Sequence, residues 1–394
     1  MKLRFGSHMF LVLAFCLLGP ATAAAQTEPV KVGALLTDKY LPLLDGKKVA
    51  LFSNHTGIAG NKHTLDLLLE NGVNVVTIFS PEHGFRGTAD AGEHVTSSVD
   101  PVTGIPIASL YDGKRRGPAP EVMENIDVIV TDIQDVGLRY YTYYCTMLEL
   151  MNAAAEAGKE FVVFDRPNPN GMTVDGPVLD MTYSSGVGRL PIPVVYGMTL
   201  GELARMINGE GWLKDNRTVN LTVVPCENYT HNTRYELPVA PSPNLRDIKS
   251  VYLYPSTCYF EATPVSLGRG TDFPFLVYGH PDMKDRRFEF TPRSVPGAKN
   301  PPQKDNLCHG VDLRTVDNEE AIAQGVNLAY LIDAYNDLNI GDAFFTPFFE
   351  KLIGRGDIRQ MIKDGKSAQQ IKDTWKADVE AFKARRRPYL LYDE

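Results

Sequence analysis

The sequence predicts an α/β fold, a doubly wound and mostly parallel sheet followed by a smaller second domain. Three observations predict it. Apolar β-branched runs recur through the first half, helical patterns separate them, and the texture of the chain changes near residue 240.

The four runs cover residues 49–52, 73–79, 126–131 and 161–164. Each is nearly continuous in apolar residues, the pattern of a strand covered on both faces. Each then ends in polar residues: Asn54 and His55; Glu82 and His83; Asp132, Gln134 and Asp135; Asp165, Arg166 and Asn168. Between them, "TLDLLLENG" and "RYYTYYCTMLELMNAAAEAG" read as helices closed by Gly72 and Gly158. Right-handed crossovers put all four carboxyl ends on one edge, where α/β sheets bind ligands. That edge would collect Asn54, His55, Glu82, His83, Asp132, Asp135, Asp165 and Arg166.

Thr199 and Glu202 fit a capping box at the start of a further helix, and "TVNLTVVPC" reads as the next strand. "LPVAPSPNLRD" is proline-rich, a linker or rigid crossover. An aromatic stretch follows and ends in the Gly-Arg-Gly turn at 268–270. Residues 318–338 and 367–392 read as helices, the second opening on Ser367 with Gln370 three later, and Arg385, Arg386 and Arg387 read as a solvated helix end. The expected division is 1–25, 26–240 and 241–394.

Residues 1–25 have the form of a cleavable leader: Lys2 and Arg4, an apolar stretch over 9–18, then Ala23 and Ala25 at the cleavage positions. The expectation is export to the periplasm or the extracellular space. A lipid anchor on Cys16 is disfavoured by the bulky Phe15. The apolar stretch is too short for a comfortable bilayer crossing, and nothing else suits one. Removing the leader takes the formal charge from −8 to −10. An acidic chain lacks the basic footprint of a nucleic-acid binder. The remaining cysteines (Cys145, Cys226, Cys258 and Cys308) show no Cys-x-x-Cys spacing, and their pairing is left open.

"SPEHGFRG" puts Glu82 and His83 after a strand, beside Arg86 and between residues that shape a loop. A carboxyl desolvated in such a crevice has its pKa raised, as a general acid requires. "DIQDVGLRYYTY" concentrates Asp132, Asp135, Arg139 and several tyrosines. Asp132 and Asp135 also suit a helix N-terminus. The tyrosines cannot all face one way, and those facing the crevice, Tyr141 among them, suit a sugar ring. Arg139, Arg166 and Arg269 are candidate clamps for an anionic group. No P-loop, Gly-x-Gly-x-x-Gly or Gly-x-Ser-x-Gly pattern is present, so neither a nucleotide cofactor nor a serine nucleophile is expected.

The ordered set "SPEHGFRG", "DIQDVGLRYYTY", "DRPNPNG" with "GP" at 176–177, "YGMTLGELA", "PSPNL" and "FEATPVSLGRGTDFPF" resembles the NamZ-type exo-β-N-acetylmuramidases, a bacterial glycoside hydrolase family. The likeness runs from residue 53 to at least 275, and the tail "RRRPYLLY" also suits it. The resemblance implies a Rossmann-like N-terminal domain, a cleft shared with a smaller α+β C-terminal domain, and no cofactor. It implies release of N-acetylmuramic acid from the non-reducing end of peptidoglycan fragments, with Glu82 as the catalytic acid. His83 and Asp132 are further catalytic candidates. Asn54, Arg86, Asp135, Arg139, Tyr141, Asp165, Arg166, Asn168, Glu261 and Arg269 are substrate-binding candidates.

The second catalytic group stays open among Asp132, Asp135 and Glu261, or the substrate's own acetamido oxygen. An arginine would hold the lactyl carboxylate. Two rival readings remain: an exported sugar-binding protein, and a metal-dependent amidase or deacetylase using His55, His83 and Asp132.

Overall fold

A computed structural model describes residues 28–81, 85, 98–110 and 117–394, the side chain of residue 109 excepted. The leader segment with Cys16, together with Glu82, His83 and Arg86, lies outside the described residues.

Twelve strands are described: β1 (Lys48–Ser53), β2 (Ile58–Ala59), β3 (Lys62–His63), β4 (Asn74–Ser80), β5 (Ser98–Val99), β6 (Pro106–Ser109), β7 (Val128–Asp132), β8 (Glu160–Phe164), β9 (Asn220–Val224), β10 (Val277–His280), β11 (Phe288–Phe290) and β12 (Cys308–Asp312). Seven make one sheet in the order β5-β6-β4-β1-β7-β8-β9, parallel throughout except at the β5 edge. The six parallel strands follow the 3-2-1-4-5-6 order of a doubly wound Rossmann-type sheet, whose direction reverses between β1 and β7. There Ser53 pairs with Asp132, the last residues of the two strands.

Period-two alternation feeds two cores, as a sheet covered on both faces requires. Ala50, Phe52, Ile129, Phe161 and Val163 enter one; Val49, Leu51, Val128, Val130, Val162 and Phe164 enter the other. Helices α1 (Thr37–Leu44) and α2 (Thr64–Glu70) cover the second face with Tyr40, Leu44, Leu65 and Leu68. α3 (Pro120–Glu124), α4 (Tyr143–Ala157) and α5 (Leu200–Gly209) cover the first. Gly158 caps α4 in the left-handed region, and Thr199 and Glu202 form the capping box of α5.

α4 starts four residues later than the apolar pattern suggests. The Arg139 amide bonds Val194 and the Tyr141 amide bonds Leu138, so residues 139–142 make a packed turn instead. β6 was not marked by any strong strand run; Pro106 and Ala108 dilute its pattern.

The second part opens with α6 (Ile248–Thr257), capped by Asp247 and Ser250, and a 3₁₀ turn over Cys258–Ala262. A three-stranded antiparallel sheet, β10-β12-β11, and short helices between Asn318 and Arg386 complete an α+β unit. The two long expected helices each break in two, at Gly325 and around Thr374. Within the arginine run Arg385 and Arg387 are exposed at the end of a helix, as expected, but Arg386 is not. Arg386 is buried and donates to the Gly197 carbonyl at 2.8 Å, while Arg385 pairs with Glu210 and lies over Trp212. Cys145, Cys226, Cys258 and Cys308 are buried free thiols. No described helix is long and apolar enough to cross a membrane.

Candidate active site

The crevice floor is built where β1 and β7 end. Arg166 reaches from the end of β8 and holds Asp132 in a two-pronged pair, Nε to Oδ1 at 2.6 Å and Nη2 to Oδ2 at 3.0 Å. Nη2 also donates to the Ile58 carbonyl at 3.0 Å. Burial alone would pull the Arg166 pKa down; Asp132 overrides it and the guanidinium is held more tightly protonated. Asp132 therefore presents no free carboxylate oxygen to the crevice. It is the partner of Arg166, whose Nη1 has no partner among the described residues.

Asn54 links β1 to the aromatic turn. Its Oδ1 accepts from the Thr56 amide and hydroxyl at 2.9 and 2.6 Å, and its Nδ2 donates to the Tyr143 hydroxyl at 2.9 Å. The Thr56 hydroxyl in turn accepts from the Gln134 amide. The Tyr141 hydroxyl donates to the Pro241 carbonyl at 2.7 Å, and His55 Nε2 lies 2.9 Å from the Ala240 carbonyl. The proline-rich crossover is thus fastened over the end of β1 by three side chains, counting the longer Tyr143 bond to Pro241.

Asp135 is the unusual carboxyl. Its Oδ1 accepts from the Tyr196 hydroxyl and the Gly137 amide, both at 2.7 Å. Its Oδ2 is buried and has no partner among the described residues, as is also true of Arg166 Nη1. Both residues line one small cavity of about 10 Å³. Burial pushes the Asp135 pKa up to about 7, with Tyr196 and Gly137 opposing it. A carboxyl poised there exchanges its proton near neutral pH.

Three expected binding residues have their side chains engaged by the protein itself. Arg139 is fully buried; Nη1 donates to the carbonyls of Pro177 and Ile192, and Nη2 to those of Leu352 and Ile353. It ties the two parts of the chain together. Gly354 (φ 81°) makes room for that guanidinium, since a Cβ there would lie 2.5 Å from Nη2. Asn168 spends its side chain on the Asn170 amide and the Met198 carbonyl. Asp165 turns away from Arg166 to accept from Thr199, Gly201 and Tyr392.

Arg269 and Glu261 sit differently. Gly268 and Gly270, both at positive φ, let the turn press on the carbonyls of Phe273 and Arg293, where a Cβ would come within 2.8 and 2.4 Å. Arg269 donates through Nε and Nη2 to Glu261 Oε1 at 3.2 and 2.5 Å and lies over the Phe275 ring at 4.9 Å. Phe275 holds φ 65°, a left-handed value that costs a non-glycine residue about 1–3 kcal/mol. Its ring meets Tyr254 edge-on at 4.7 Å, and Tyr254 meets Tyr140 at 5.1 Å. An aromatic stack thus joins the arginine turn to the tyrosine turn after β7.

Among the described residues no group of three or more His, Cys, Asp or Glu side chains is arranged to hold a metal ion. Of the three groups weighed for one, Asp132 is taken by Arg166, His55 Nε2 faces Ala240, and His83 lies outside the described residues. Sequence reasoning missed Tyr196, Tyr392 and the His231–Glu202 pair (3.0 Å), all of which act through partners distant in sequence.

The family model described as exo-β-N-acetylmuramidase NamZ, N-terminal, matches residues 49–249, and the corresponding C-terminal one matches 252–392. The chain belongs to the NamZ family. It is 39% identical to the peptidoglycan β-N-acetylmuramidase NamZ of Bacillus subtilis (strain 168), covering 94% of this chain and 93% of that protein. Crystal structures of two DUF1343 family proteins from Bacteroides fragilis NCTC 9343 share the NamZ-type fold seen here. One has a TM-score of 0.88 and 58% identity over 93% of this chain and 99% of the other; the second has 0.79 and 30% over 92% and 99%.

Proposed function

We infer that the chain is an exo-acting glycoside hydrolase that releases N-acetylmuramic acid from the non-reducing end of peptidoglycan fragments. The observation that carries this reading is the near full-length relation to the Bacillus subtilis muramidase, spanning both family domains. Residues 26–240 are read as the catalytic domain and 241–394 as an auxiliary domain completing the cleft. The leader-like residues 1–25 support export to where cell-wall fragments lie.

In this reading Glu82 protonates the glycosidic oxygen as the bond breaks, a contribution of about 10²–10⁴-fold. His83 and Arg86 follow it closely in sequence. Arg269 holds the lactyl carboxylate, the anion that distinguishes muramic acid from glucosamine. Glu261 fixes the plane of its guanidinium, and strain at Phe275 supports a site worth maintaining at a cost. The Asp132–Arg166 pair sets the floor of the cleft, and the remaining task, attack at the anomeric carbon, falls to water or to the substrate's acetamido oxygen.

The test is incubation of the chain lacking residues 1–25 with N-acetylmuramyl-β-1,4-N-acetylglucosamine, with and without chelator, reading products by mass. Free N-acetylmuramic acid that survives chelation is expected, and an intact disaccharide refutes the reading. Glu82→Gln should keep binding and lose most turnover; a fully active variant removes Glu82 as the acid.

A further inference from the structure

Residues 386–394 run back across the first domain and dock on α5. Arg205 Nη1 donates to the carbonyls of Tyr389 and Leu390 at 2.7 and 3.0 Å, the Leu391 amide donates to Glu202 Oε1 at 2.8 Å, and the His231 amide donates to the Asp393 carbonyl at 2.8 Å. α5 is shaped for this. Gly201, Arg205 and Gly209 recur every fourth residue on one face, and a Cβ at Gly209 would lie 2.4 Å from the Tyr389 ring.

The docking ends in a specific contact. The Tyr392 hydroxyl donates to Asp165 Oδ2 at 2.6 Å and accepts from the Cys226 amide at 2.8 Å, while its ring packs edge-on against Tyr229 at 4.8 Å. Asp165 Oδ2 also accepts from the Thr199 hydroxyl at 2.6 Å, and Oδ1 from the Gly201 amide at 2.8 Å. Asp165 directly precedes Arg166, the residue that holds Asp132.

We propose that Tyr392 is a positioning residue for the cleft, acting through Asp165 on the Arg166–Asp132 pair. The proposal rests on the muramidase reading for its activity readout. Three donors converge on the Asp165 carboxylate and favour its charged form, so a proton added to it weakens their hold. A weaker hold lets the end of β8 shift, and Arg166 with it. The groups facing Asp165 are Tyr392 from the docked segment, Thr199 and Glu202 from the start of α5, and Cys226 and Tyr229 beyond β9. Burial raises the Asp165 pKa to about 6, and Thr199, Tyr392 and the Gly201 amide hold it down against Glu202. Losing the phenol hydroxyl therefore moves the titration of Asp165 upward.

The experiment compares wild type, Tyr392→Phe and Arg205→Ala. Tyr392→Phe keeps the ring packing, so it should fold. Its kcat at pH 6 should fall roughly tenfold, the effect of losing one hydrogen bond to a charged group, with KM within about twofold and the acid limb of kcat moved toward neutral pH. Arg205→Ala loosens the docked segment without touching Asp165; it should lower the melting temperature and leave the acid limb in place. An unchanged Tyr392→Phe profile, or an equal shift in Arg205→Ala, overturns the proposal. Amide exchange at Gly201 supplies a readout independent of turnover. Faster exchange in Tyr392→Phe than in Arg205→Ala is expected, and equal exchange refutes the proposal even if wild type releases no muramic acid.

Discussion

Arg166 and Asp132 pair with side chains 2% and 0% exposed, whereas Arg269 and Glu261 keep 19% and 26%. The chemistry of the two pairs is the same and their uses differ. In the first, both carboxylate oxygens are engaged and the side chains are sealed from solvent, with Arg166 Nη1 left without a partner among the described residues. In the second, both bonds end on one oxygen of Glu261, and both side chains keep part of their surface exposed. Sealing a pair turns it into architecture; leaving it ajar keeps it available for recognition.

Substitution separates the two sharply. Arg166→Leu strands the Asp132 carboxylate in a dry site and should cost about 3–5 kcal/mol in denaturant unfolding. A loss below 1 kcal/mol would mean that water enters the floor and that the distinction is false. Asp135→Asn sharpens the same point for an unpaired buried acid. The Asp135 pKa lies near 7 in the fold and near 3.9 unfolded, so wild-type stability falls as pH rises from about 4 to 7 and is level above that. The variant lacks this fall. Its stability relative to wild type should rise by a few kcal/mol between pH 4 and pH 8, and a difference independent of pH refutes the assignment.

Arg269→Ala has the smallest effect on the fold, under about 1 kcal/mol for a half-open pair. Its effect belongs in recognition: KM should rise about tenfold for muramic substrates and little for glucosamine analogues, the scale of one lost charge-assisted contact. Equal changes for both would remove the clamp.

The sheet was legible because its strands announce themselves. Runs such as 126–131 are apolar on both faces, and parallel connection forces their ends together. Partner choice was not legible. Asp165 and Arg166 are neighbours in sequence, yet one bonds α5 and Tyr392 while the other bonds Asp132, because successive residues face opposite ways. Arg139 looked like its fellow arginines until four carbonyls, two of them more than 200 positions away, enclosed it. Composition around a residue says which chemistry is present, and only the fold says whether that chemistry is already occupied.

The segment docked on α5 bears on time as well as geometry. Its contacts join residues 162 to 227 positions apart, from His231 with Asp393 to Asp165 with Tyr392. Contacts that close so long a loop are assembled late, after the central strands have paired. They contribute little to the speed of folding and much to the lifetime of the folded state, so this short stretch acts as the clasp that sets how slowly the protein comes apart.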